Sequence, residues 1–350
     1  MRLSCCSRPP MQSTPHIVII GAGLIGLSTA DSLNRRGVRL TVLDRNVGPA
    51  QGSSFCNSGM IHPSQARPWH RPDIDAETLK DLVETGNLSR HLIEARMRGL
   101  GLSDADRQTG CVQLFDSRYP GEEALEKYRD IGVEAKVING EPFTYGRYAL
   151  LFPNDFSGDA RRYCCALEHD LHSRGVEFFY KLENINIDKN SLTVSMQNTE
   201  IKADHIILAA GTGSINLGRQ IGLDIPVKAV RGHTLNFEKP DTPLPARPII
   251  HDASHSALTV FEDQIRLSGT IGKDDPEVLR DIWENIAPDI VRRLAEPISR
   301  WSGDRPVSET GCPLIGPTDI SGIWLNAGHG HMGWTLCAGS GEKLADMIMQ

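Results

Sequence analysis

The stretch His16-Ile-Val-Ile-Ile20-Gly21-Ala-Gly23-Leu-Ile-Gly26 decides how the rest of this chain is read. An apolar, β-rich run leads into G-x-G-x-x-G at the mouth of a helix-like segment, 24–36. Gly37 stops that helix and a second β-rich run follows at 39–43, so the chain opens with a βαβ unit. Gly21 permits the tight turn, Gly23 lets backbone N–H groups approach a pyrophosphate, and the helix start at Leu24, Ile25 and Gly26 supplies partial positive charge. Asp44 lies 18 residues beyond Gly26, where a carboxylate accepts ribose hydroxyls and repels a 2′-phosphate. The reading is a dinucleotide site, and NAD and FAD both fit it.

Composition removes several other functions. Lys and Arg number 37 against 44 Asp and Glu, a formal charge of −7 over 350 residues, so nucleic acid is not an expected partner. No run nears the roughly 18 apolar residues of a membrane span. The first ten residues lack a signal peptide's apolar core. A cytoplasmic location is expected, with docking on the inner face of the membrane left open, and residues 1–13 are read as disordered. Eight cysteines without C-x-x-C read as reduced thiols. His251 and His255 precede a strand and lack the acid of H-E-x-x-H, so both are read as surface residues and no metal is expected. No G-x-S-x-G supports a hydrolase.

The length suggests two domains. Helical patterns at 73–98 and 122–130 surround strands at 111–115 and 133–138; a helix at 159–173 precedes strands at 176–180 and 203–209, the second running into Gly211. Residues 226–272 are β-rich and punctuated by prolines, the mark of an antiparallel sheet. A helix is read at 275–294, then a strand at 323–326, a glycine turn, and a helix at 334–349. The expected fold class is α/β, with α+β character in the second domain. A Rossmann-like domain is assembled from the discontinuous segments 14–62, 151–225 and 300–350. A substrate domain with a mixed, largely antiparallel sheet comes from 63–150 and 226–299.

Four further blocks stand in order along the chain: Ser53-Ser-Phe-Cys-Asn57-Ser-Gly59, Ala203-Asp-His-Ile-Ile-Leu-Ala-Ala-Gly211, Asp304-Arg-Pro-Val-Ser-Glu-Thr-Gly-Cys-Pro-Leu-Ile-Gly316, and Asn326-Ala-Gly-His-Gly-His-Met-Gly-Trp-Thr-Leu-Cys-Ala-Gly-Ser-Gly341. With them the sequence resembles the FAD-dependent D-amino-acid oxidase superfamily, most closely its bacterial D-amino-acid dehydrogenases of the small-subunit type. The resemblance implies FAD as cofactor. It implies that FAD is held by Gly21, Gly23, Leu24, Ile25, Gly26, Asp44, Arg45, Ser53, Ser54, Asn57, Gly59, Met60, Ala210, Gly211, Gly330, His331, Met332, Gly333, Trp334 and Thr335. It implies that Arg305 grips the substrate carboxylate as a bidentate fork, with His233 and His331 as further candidate catalytic residues. His233 falls where many relatives carry an aromatic hydroxyl.

The activity implied is oxidative deamination of D-amino acids to 2-oxo acids and ammonia. A hydride would pass from the substrate α-carbon to flavin N5, and the electrons onward to a quinone or another acceptor. Alternatives on the same fold are oxidation of a secondary amine such as a proline derivative, glycine, sarcosine or an opine, or a non-catalytic flavin-binding subunit in a heteromeric or homo-oligomeric assembly. Two departures accompany the resemblance. Residues 72–111 look shortened where the substrate site should be roofed, and the acidic partner expected after Gly269-Thr270 is missing.

Overall fold

A computed structural model describes residues 14–102, 108–116, 122–138, 143–145, 147–197, 199–269 and 275–350. Residues 1–13 and the position after Gly269 lie outside the described residues. The fold is mixed α/β. The opening strand His16–Ile20 is the middle of a six-stranded sheet ordered Leu314–Pro317, Ile323–Ala327, His205–Leu208, His16–Ile20, Arg39–Leu43, Glu177–Phe179. Five strands are mutually parallel and Leu314–Pro317 closes one edge antiparallel. Ile17, Val18, Ile19 and Ile20 are all buried, the pattern of a parallel strand covered on both faces.

One covering layer consists of helices Leu24–Asn34, Ala76–Gly99 and Gly333–Ile348. Glycine sets their spacing: a Cβ on Gly339 would stand 2.4 Å from the Thr85 carbonyl oxygen, and one on Gly341 2.9 Å from that of Ser28. Helix Ala76–Gly99 therefore belongs to this layer, with Ile93 and Met97 in its core, although sequence alone assigns it to the substrate domain. Asp31, fully buried on the first helix, receives Arg96 of helix Ala76–Gly99 at 2.5 Å, Arg174 at the C-cap of helix Ala160–Ser173 at 2.5 Å and Arg35 at 3.0 Å, and so ties these three helices together.

The second sheet has nine strands. Along its path they are Ser299–Ser308, Val227–Glu238, Gln264–Gly269, Ser256–Val260, Ile249–His251, Thr109–Phe115, Tyr148–Ser157 and Met60–Ile61, with Lys136–Val137 paired beside Tyr148–Ser157. Strands Tyr148–Ser157 and Ser299–Ser308 both lie in this sheet, so the expected boundaries at 151 and 300 cut through strands. Ser299–Ser308 contains Ser, Gly and Pro, which disguise it as a loop; its place at the sheet edge tolerates Pro306.

Side-chain alternation gives this sheet two chemistries. Leu235, Phe237, Ile265, Leu267 and Leu258 face Leu279 and Trp283 of helix Val278–Ile286. The helix expected over 275–294 breaks at Ala287 (φ −132°), and Pro288 opens a separate turn, Pro288–Val291. The opposite face is polar and meets the first sheet's domain: Thr234 donates to Cys56 Sγ at 3.0 Å, Thr259 to the Ser58 carbonyl at 2.7 Å, and Arg266 to the Asn57 carbonyl at 2.7 Å. A third sheet, Ile185–Asp188, Thr193–Met196 and Thr199–Lys202, is an antiparallel meander.

Candidate active site

Between the two large sheets runs a cleft that starts at the glycine turn and ends at Arg305. Of the residues singled out from sequence, it is bordered by Gly21, Gly23, Leu24, Ile25, Asp44, Arg45, Ser53, Ser54, Asn57, Met60, Ala210, Gly211, Gly330, His331, Gly333, Trp334 and Arg305. Gly26, Gly59, Met332 and Thr335 stand behind its walls. A Cβ on Gly26 would lie 1.8 Å from the Gly21 carbonyl oxygen, and Gly59 (φ +83°) presses against Phe261. Met332 packs with Leu79 and Leu336, while Thr335 Oγ1 accepts the His62 N–H at 3.0 Å.

Gly21 has φ +120° and would bring a Cβ to 2.3 Å from the Ala209 carbonyl oxygen, so only glycine fits where the two strand ends meet the turn. Gly23 is the N-cap of helix Leu24–Asn34 and has no side chain of its own to cap it; Ser54 Oγ accepts the Leu24 N–H at 3.1 Å, and this helix end borders the cleft. The Asp44 carboxylate is held at the strand end by the N–H groups of Ala22 at 2.7 Å and Asn46 at 2.8 Å. Sequence reasoning misses the cleft wall formed by Glu183, Asn184, Asn186, Asn216 and Gln220. These residues carry no motif and reach the cleft only because the meander and helix Gly213–Ile221 fold beside it.

The cleft fits a bound dinucleotide through its unmet hydrogen bonds. Asn326 Oδ1, His329 Nδ1 and Trp334 Nε1 are buried and lack a partner among the described residues, and all three residues border the cleft. Burial pushes the His329 imidazole down to about 3, so it stays neutral.

At the far end, Arg305 and Gly232 lie on one face of the paired strands Ser299–Ser308 and Val227–Glu238, and a Cβ on Gly232 would stand 2.0 Å from Arg305 Nη1. The guanidinium thus lies flat over bare backbone. Burial lowers its pKa to about 10, which leaves it charged at neutral pH. His331 Nε2 is 3.0 Å from the Gln65 carbonyl; since a carbonyl only accepts, Nε2 carries the proton and Nδ1 is the ring's acceptor. Burial first, then the neighbouring His62, brings the His331 pKa down to about 3.

His233 does not join this constellation. Alternation along Val227–Glu238 turns it to the opposite face from Gly232, where its Nδ1 meets Ser302 Oγ at 2.6 Å, away from the cleft. The reading of His251 as a surface residue is corrected, whereas His255 is exposed as expected. His251 is buried between Ser254 and Asp116, and His255 stacks on Trp69. Among the described residues no group of three or more His, Cys, Asp or Glu side chains is arranged to hold a metal ion.

The turn carrying Gln65 is anchored from below: Ser64 Oγ donates to Asp155 at 2.5 Å, and burial raises that carboxyl to about 7. A raised carboxyl pKa means that the folded state holds a proton the unfolded chain releases above pH 4. Asp155 therefore favours folding at low pH, and this contribution is lost as pH rises to about 7. Asp155→Asn is expected to remove that slope. Denaturant unfolding between pH 5 and 8 should show wild-type stability falling relative to the variant by at most about 1.4 kcal/mol per pH unit; parallel curves would refute the assignment.

Comparison with known proteins agrees with this geometry. A family profile described as FAD dependent oxidoreductase matches residues 16–347. The chain belongs to this family. The flavoenzyme is 26% identical over 404 aligned positions to a D-amino acid dehydrogenase of Vibrio atlanticus (strain LGP32), covering 95% of each chain. Its fold matches that of glycine oxidase from Geobacillus kaustophilus (TM-score 0.81, 20% identity, 96% of this chain and 95% of the other). It also matches L-proline dehydrogenase from P. horikoshii (TM-score 0.79, 21% identity, 96% and 93%). The cleft from Gly21 to Trp334 is where the flavoenzyme would hold FAD, with the diphosphate at the start of helix Leu24–Asn34 and the ribose at Asp44. No helix among its described residues is long and apolar enough to cross a membrane.

Proposed function

We propose that the flavoenzyme oxidises the Cα–N bond of a D-amino acid, yielding a 2-oxo acid and ammonia after the imine takes up water. The observation that carries this reading is Arg305, a charged fork laid over Gly232 at the end of the dinucleotide cleft. A planar guanidinium in that place suits a carboxylate held by two parallel hydrogen bonds. The D-amino acid dehydrogenase relative supports an amino acid as the owner of that carboxylate. When bound, FAD supplies the two-electron acceptor that such an oxidation requires. A quinone or another acceptor then regenerates it.

The protein's own part is orientation. Arg305 fixes the carboxylate, and His331, locked with Nε2–H on the Gln65 carbonyl, offers Nδ1 as an acceptor for an amine N–H. With a pKa of about 3, His331 does not store a proton at neutral pH, so it orients the amine rather than deprotonating it. Rate enhancement comes from proximity and alignment.

Product analysis tests the reading. With D-alanine and an artificial electron acceptor, the holoenzyme should release pyruvate and ammonia in equal amounts, and the L enantiomer should release neither. Oxidation of proline without ammonia would transfer the assignment to secondary amines.

A further inference from the structure

Behind the cleft-lining His331, near the Arg305 end, three rings from three separate turns are stacked. Trp69 lies between His331 (centroids 4.2 Å apart, planes 13° apart) and His255 (4.7 Å, 18°). His331 borders the cleft together with Arg305, whereas Trp69 is 37% exposed, so the order from the site outward is Arg305, His331, Trp69. The Trp69 loop is fastened to the strand that carries Arg305. His70 Nε2 meets the Ser308 carbonyl at 2.9 Å, Arg71 reaches the Glu309 carbonyl at 3.4 Å, and Pro68 packs against Gly311. The 404 positions aligned with the Vibrio relative exceed the 350 residues of this chain, so at least 54 positions of that relative have no counterpart here.

We propose that Trp69 is a specificity-determining residue: wedged between His331 and His255, it walls the site beyond Arg305 and restricts the substrate to amino acids with small, uncharged side chains. This rests on Arg305 binding the substrate carboxylate. An acid anchored on Arg305 has its substituent confined by the flavin cleft on one side and by this stack on the other. Both faces of the indole are occupied, so the ring cannot swing aside without breaking two stacking contacts. The wall is aromatic, and a charged side chain pressed against it would lose hydration.

The test needs no turnover. Holoprotein, Trp69→Ala and Trp69→Phe are titrated with acetate and with benzoate while the visible absorbance of the oxidised flavin is followed. The ratio of benzoate to acetate affinity should rise by about tenfold or more in Trp69→Ala, because space for several carbon atoms opens. In Trp69→Phe, which keeps a stacking ring, it should stay within about threefold of wild type. An unchanged ratio in Trp69→Ala, with both acids still binding, overturns the role of Trp69 alone. If neither acid perturbs the wild-type flavin, the carboxylate site at Arg305 fails and the size selection fails with it.

Discussion

Arg305→Lys is expected to lower kcat/KM for the amino-acid substrate by about 100- to 1000-fold, equivalent to roughly 3–4 kcal/mol of lost transition-state binding. Lysine keeps a positive charge but gives up the planar fork, and its flexible stem has no reason to lie over Gly232. The fall should appear mainly as a raised KM if the carboxylate is held equally in the ground and transition states, and in kcat if the grip also aligns the Cα–H bond. Gly232→Ala provides an independent route to the same end. Its methyl would stand 2.0 Å from Arg305 Nη1, so the guanidinium must leave its place although its charge is intact. Both variants should retain FAD, because the glycine turn, Asp44 and the start of helix Leu24–Asn34 lie at the other end of the cleft. Steady-state kinetics on flavin-replete protein checks this, and an unchanged KM and kcat in Arg305→Lys would remove Arg305 from the substrate site.

Asp31→Ala is expected to cost about 3–5 kcal/mol of stability. Burial alone would raise the Asp31 pKa, yet Arg96 first, with Arg35 and Arg174, holds it below the ordinary carboxylate range. The native state therefore binds fewer protons than the unfolded chain, and the stabilisation is present above about pH 4 and lost as pH falls through the lowered pKa. Removing the carboxylate leaves Arg96, only 6% exposed, with Glu342 at 3.4 Å as its remaining ion-pair partner. Replacing both members, in Asp31→Ala/Arg96→Met, should recover part of the loss because no charge is then buried alone. Guanidinium unfolding of the holoprotein checks both variants. A single-variant loss below about 1 kcal/mol would mean that Glu342 and solvent suffice for Arg96.

The opening βαβ unit was legible because each of its residues obeys one local rule. Ile17 to Ile20 are continuous in apolarity, Gly21 and Gly26 leave no room for a side chain, and Asp44 sits at the strand end. Strand Ser299–Ser308 was not legible, since its polar, glycine- and proline-containing run becomes a strand only by pairing with Val227–Glu238 over ten residue pairs. That pairing also decides the fate of His233. Adjacent residues of a strand face opposite ways, and Gly232, not His233, shares a face with Arg305. Arg305 was found through resemblance, because beside Asp304 in sequence it reads as half of a surface ion pair. In the structure Asp304 instead pairs with Arg231. Trp69 and the residues around Glu183 escaped notice because their roles depend on contacts between distant turns, which no spacing rule encodes.

The most direct test of the account is anaerobic mixing of the purified flavoenzyme with D-amino acids, L-amino acids and secondary amines, one at a time, while the absorbance of the oxidised flavin is followed. The expected result is a yellow protein bleached by small D-amino acids and left unchanged by their L enantiomers. A bound flavin that no amino acid or amine reduces would contradict it.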